Sequence, residues 1–141
     1  MVEGGGDVTL IVSFLEVAFR MASLFVFPAA ALWAWRGGPA RLWSVTGLGL
    51  GLIVGLAAFA ASPIGGNVLA PTYGYGYTAP RSLVLHGLTL GLPLLATTVA
   101  VQSLARRVSS RLGLYVIGVL CAGVAWVVGV LAAIQILAAL P

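Results

Sequence analysis

Charged side chains are scarce in this 141-residue chain, and lysine is absent altogether. Only 7% of the residues are charged, against roughly 25% in an ordinary soluble domain. Apolar residues make up 61% of the chain, and their runs are longer than one soluble core can bury. These two features exclude a soluble globular domain and predict a polytopic membrane protein.

Cysteine and histidine occur once each, as Cys121 and His86. A single cysteine excludes an intramolecular disulfide and a cysteine-based metal cluster. The net charge of +4 comes from arginines that border apolar segments, so the sequence predicts no nucleic-acid partner. The chain also lacks a G-x-S-x-G nucleophile motif and a phosphate-binding glycine loop.

The apolar segments predict an all-α fold, a single four-helix transmembrane bundle with the lipid bilayer as its partner. The domain covers residues 1–141, and its longest loop is residues 62–80. The predicted helices cover about residues 8–35, 42–61, 81–104 and 112–140.

Arginine positions predict the orientation of this bundle. The connections 36–41 and 105–111 hold five of the seven arginines, whereas the loop 62–80 and both tails hold none. The positive-inside rule therefore places these two connections in the cytoplasm of a multi-pass cell-membrane protein, with N-out/C-out topology. Tyr73, Tyr75 and Tyr77 of the outer loop form either an interfacial aromatic belt or a lid over an outer-side pocket.

An acid and a base interrupt the first predicted span. Glu16 and Arg20 are four residues apart, so on a helix they share a face, with the acid in the favourable N-terminal position. Each charge costs roughly 2.5–3.5 kcal/mol in the middle of a bilayer and normally faces a bundle interior. Two interpretations stay open: a self-neutralised structural pair, or a site for a polar or charged ligand.

Four polar residues are predicted at similar depth in the outer half of the bundle: Glu16, Arg20, His86 and Gln135. Helix bundles build cofactor sites from such inward-facing side chains. His86 is a candidate haem axial ligand, proton carrier or quinone partner. Arg20 is a candidate for binding an acidic ligand group, and Glu16 is the candidate catalytic acid or base.

The segment from Glu16 to Arg20 resembles the Glu-x-x-His-Arg motif of haem A synthases, which lies near the outer end of a transmembrane helix. In that family a second histidine follows two helices later, as His86 does here, and each protein consists of two four-helix halves. The resemblance covers roughly residues 13–105 and implies one such half, with haem as cofactor. Phe19 stands where the family has its haem-ligating histidine, so a second axial ligand would come from another chain or be absent.

These observations lead to two main hypotheses of function. The first is a membrane module of haem or quinone metabolism that acts through the outer-side pocket. The second is a non-catalytic accessory or scaffold subunit that forms a homo-oligomer or joins larger respiratory-complex subunits. The second rests on the ridge of Gly47, Gly51 and Gly55, because small residues at this spacing allow helices to approach closely. A small proton-coupled transporter is a third and weaker hypothesis.

Overall fold

The computed structural model of the chain describes residues 3–65 and 79–140, which fold into helices without a strand. A π-helical turn, Gly87–Gly91, joins the helices Ala79–His86 and Leu92–Leu104 into one span. The helices are α1 (Glu3–Trp35), α2 (Pro39–Ala61), α3 (Ala79–His86), α4 (Leu92–Leu104) and α5 (Arg111–Ala139).

Four helical stretches are long and apolar enough to cross a bilayer. They are Phe14–Trp35, Pro39–Ala61, Pro80–Leu104 and Arg111–Ala139. The predicted all-α, four-helix membrane bundle is therefore confirmed.

Two helices begin three or more residues before their predicted starts. Helix α1 begins at Glu3 rather than at residue 8 and continues through Pro28 to Trp35. Helix α2 begins at Pro39 rather than at residue 42, because proline lacks the N–H that the first helical turn cannot pair. Gly38 makes this start possible, since its φ of 91° is costly for any residue with a Cβ.

Small residues let the helices approach each other in the interior. A Cβ added at Gly129 of α5 would lie 2.2 Å from the carbonyl oxygen of Leu88, in the π-helical turn. A Cβ at Gly118 would lie 3.0 Å from the Cβ of Pro28. Alanines fill much of the remaining buried space: Ala31, Ala34, Ala57, Ala60, Ala122 and Ala133.

The glycine ridge of α2 faces outward. A Cβ added at Gly47, Gly51 or Gly55 would meet nothing within 4 Å. All three residues are exposed, so the close approach expected along this ridge is not made among the described helices of this chain. The inward face of α2 instead carries Thr46, whose hydroxyl lies 2.7 Å from that of Thr98 on α4.

The two ends of the bundle differ in charge. One end carries the connections 36–41 and 105–111 with their five arginines, and we call it the arginine-rich end. The other end brings the start of α3 beside the end of α5, because Arg81 donates from Nη2 to the carbonyl oxygen of Leu140 at 3.1 Å. We call this second end the loop end.

Candidate functional site

Glu16 and Arg20 form an ion pair on the inward face of α1. The Nε and Nη2 atoms of Arg20 lie 3.2 and 2.9 Å from Oε1 of Glu16. The side chains are 12% exposed for Arg20 and 15% for Glu16, so the pair is largely but not fully buried. Because the pair lies within the span Phe14–Trp35, it is an intramembrane charge pair, a feature that in membrane proteins commonly marks a functional site.

Arg20 also connects α1 to the π-helical turn. Its Nη1 donates to the hydroxyl of Thr89, and this hydroxyl donates to the carbonyl oxygen of Leu85 at 2.6 Å. Helix α1 packs along α2, α4 and α5, and the long Arg20 side chain reaches the π-helical turn of the third span. Turns of the π type occur frequently at functional sites.

Pro93 gives a local reason for an irregular helix at this position. Proline has no N–H, so the carbonyl of Thr89, four residues earlier, loses the donor that an α-helix would supply. Gly87 and Gly91, at the two ends of the turn, lower the cost of departing from α-helical geometry because they have low helix propensity.

A hydrogen bond within α3 orients the His86 ring, and a second hydrogen bond anchors this part of α3 to α2. Its Nδ1 lies 2.8 Å from the carbonyl oxygen of Ser82, which can only accept, so we assign the ring proton to Nδ1. The Ser82 hydroxyl donates to the carbonyl oxygen of Ala57 on α2 at 2.7 Å. Ser82 is 0% exposed and His86 is 2% exposed. The ring orientation is therefore fixed, and Nε2 is the acceptor nitrogen of the neutral ring.

Three of the four predicted site residues come together. Arg20 pairs with Glu16 and contacts Thr89, which lies one helical turn from His86. Gln135, the fourth, is exposed near the end of α5, so it does not share the buried setting of the other three. His86, Thr89, Pro93 and Thr97 of the third span are all buried.

The His86 side chain is only 2% exposed in this arrangement, and haem as its cofactor stays a prediction. Phe19, at the position of the haem-ligating histidine in the family motif, is 57% exposed. Among the described residues, no group of three or more His, Cys, Asp or Glu side chains is placed to hold a metal ion.

Two further polar residues, Ser82 and Trp126, lie near this cluster and were not predicted as site residues. Ser82 fixes His86, and the only signal for it was its position one turn before the histidine. Trp126 lies on α5 one turn before Gly129, the residue that packs on the π-helical turn. Its indole Nε1 is buried and has no hydrogen-bond acceptor within residues 3–65 and 79–140. A donor in this state is available to a ligand with an acceptor oxygen.

The loop tyrosines Tyr73, Tyr75 and Tyr77 lie outside the described residues. Their predicted role as a belt or a lid therefore stays a prediction. Comparisons with protein-family models, with curated proteins and with solved structures give no match to this chain.

Proposed function

We propose that this protein is a membrane module that binds a lipid-soluble carbonyl compound of the quinone class at the Glu16–Arg20 pair. The observation that carries the proposal is an ion pair inside a transmembrane span that keeps 12–15% exposure and is joined to a π-helical turn. The partly exposed edge of the pair is where a small headgroup arriving through the bilayer would reach it.

The chemistry of the cluster suits such a headgroup. Arg20 is a permanent cation with several N–H donors, which matches a carbonyl oxygen of the oxidised ring. The Glu16 carboxylate accepts a hydrogen bond from a hydroxyl of the reduced ring. Ser82 fixes the His86 ring one helical turn before Thr89, whose hydroxyl Arg20 contacts. By the arginine rule, the site lies in the outer half of the cell membrane.

A binding titration tests the proposal. The full chain is purified in detergent, and a short-chain quinone is added while the fluorescence of Trp126 is followed in a variant whose other tryptophans are replaced by phenylalanine. Saturable quenching is expected, and Arg20→Gln should weaken binding by about 10- to 100-fold, because a charge-assisted hydrogen bond contributes roughly 1.5–3 kcal/mol.

Arg106→Gln is the matched control, since it removes the same charge at the arginine-rich end. Equal weakening by both variants, or quenching without saturation, would argue against a site at Arg20. The absorption spectrum of the same preparation tests the haem hypothesis directly. A Soret band that disappears in His86→Ala would replace the quinone by a haem.

The second candidate function is a non-catalytic subunit of a membrane assembly, and the outward glycine ridge of α2 favours it. Gly47, Gly51 and Gly55 leave a flat strip that a partner helix can approach closely. Gly51→Leu should therefore shift the assembly state in mild detergent toward smaller species without lowering the stability of the monomer. Light scattering after size-exclusion chromatography measures this shift, with Leu52→Ala, on a neighbouring exposed face, as the control. An unchanged mass distribution would leave the ridge without a role in assembly.

A further inference from the structure

A cavity lies at the arginine-rich end, far from the Glu16–Arg20 pair. It has a volume of about 760 Å³ and opens between the end of α1 and the connection from α4 to α5. Two cationic side chains, Arg36 and Arg111, line it together with the aromatic side chains of Trp33, Trp35 and Tyr115. The cavity therefore combines positive charge with amphipathic rings at the level where a helix leaves the bilayer.

No acidic residue of the sequence lies near the arginines at this end. The chain has three acids, Glu3, Asp7 and Glu16, and all three precede residue 17. Glu16 is 20 residues before Arg36 on the same helix, which corresponds to about 30 Å at 1.5 Å per residue. The two cavity arginines are therefore too far from Glu16 to pair with it, and an anion that binds them would come from outside the chain.

The walls of the cavity are held in place without that anion. The guanidinium of Arg41 stacks over the ring of Trp33, with its central carbon 3.9 Å from the ring centroid. The hydroxyl of Tyr115 donates to the carbonyl oxygen of Phe25 at 3.1 Å. Helix α5 begins at Arg111, so the positive end of its dipole adds to the field in the cavity.

The lower walls of the cavity are apolar and continue toward the bilayer. Ala29 and Leu32 of α1 form one side, and Leu112, which is 73% exposed, forms another. An anion with a hydrocarbon chain satisfies both parts of this surface, whereas a small soluble anion satisfies only the arginines. Basic pockets between transmembrane helices are known recognition sites for anionic lipid headgroups.

We infer that Arg36 and Arg111 bind the phosphate-bearing headgroup of an anionic phospholipid, with its acyl chain against Leu32 and Leu112. This site is independent of the proposed quinone site. The same two arginines would accept a free phosphate, so the experiment has to separate the two sources.

The full chain in detergent is titrated with phosphatidylglycerol, with phosphatidylcholine of the same acyl chains, and with inorganic phosphate, and bound lipid is counted by native mass spectrometry. Phosphatidylglycerol should bind more tightly than phosphatidylcholine. The Arg36→Gln/Arg111→Gln variant should lose on the order of 10- to 30-fold in this affinity, since each arginine near a membrane surface contributes about 1 kcal/mol.

The Arg106→Gln/Arg107→Gln variant is the control, because it removes the same net charge from exposed arginines at the same end that do not line the cavity. It should keep most of the affinity. The single variants Arg36→Gln and Arg111→Gln carry the test if the double variant does not fold, each with a loss of about fivefold. Equal losses in control and cavity variants, equal binding of the two lipids, or full competition by inorganic phosphate would each overturn the inference.

Discussion

Glu16→Gln is expected to lower the free energy of unfolding by about 3–5 kcal/mol, the usual cost of removing one partner from a buried ion pair. The substitution removes the carboxylate that Arg20 contacts at 2.9 Å and leaves a guanidinium that is 12% exposed within a transmembrane span. Thr89, the other described partner of Arg20, supplies a hydroxyl but no negative charge. Unfolding by SDS in mixed micelles, followed by circular dichroism, measures the loss.

Two further variants test whether the loss of stability comes from an unpaired charge. Arg20→Gln should cost less than Glu16→Gln, because a carboxylate left alone can take up a proton whereas a guanidinium cannot release one. The double variant Glu16→Gln/Arg20→Gln should be more stable than Glu16→Gln, since two neutral amides leave no charge in the span. A double variant that loses the sum of the two single effects would show that the two residues act independently, contrary to the geometry.

Gly129→Ala is expected to destabilise the bundle by about 1–3 kcal/mol, the usual range for overpacking an interior. The added methyl group would lie 2.2 Å from the carbonyl oxygen of Leu88, which is main chain and cannot rotate away. Helix α5 and the π-helical turn would have to separate along their contact. The same unfolding titration measures the effect, and quinone binding should weaken as well, because this contact positions Thr89 near Arg20.

Gly123 offers a matched comparison on the same helix. A Cβ added there meets nothing within 4 Å. Gly123→Ala should therefore stabilise the protein by about 0.5–1 kcal/mol through helix propensity alone. Opposite signs for the two glycine-to-alanine changes would establish the close contact at Gly129, and equal signs would show that α5 does not press on the π-helical turn.

The number and position of the spans follow from the sequence because hydrophobic length is a direct consequence of bilayer thickness. The pairing of Glu16 with Arg20 also follows from their spacing, since side chains four apart on a helix meet wherever the helix packs. The burial of His86 and Thr89 is likewise readable from their shared stripe. Each of these features depends on one helix at a time.

Features that depend on two helices at once were less accessible. The ridge of Gly47, Gly51 and Gly55 has a spacing that permits close approach, but spacing does not say which neighbour makes it, and in this chain no described helix does. Gln135 was placed by its distance from the helix end, which does not say which way the side chain faces, and the side chain is exposed. The contact of Gly129 with Leu88 joins residues 41 positions apart in sequence and has no local signature.

The π-helical turn has a consequence for how this short chain presents its third span. A turn closed by an i→i+5 hydrogen bond contains one residue more than an α-helical turn, which displaces what precedes it by roughly 100° around the axis. Ser82 and His86 are thus set in a different angular phase from Thr97 and Thr98. One continuous hydrophobic segment can in this way pack against two different neighbours. The insertion of a single residue is enough to produce this change of angle.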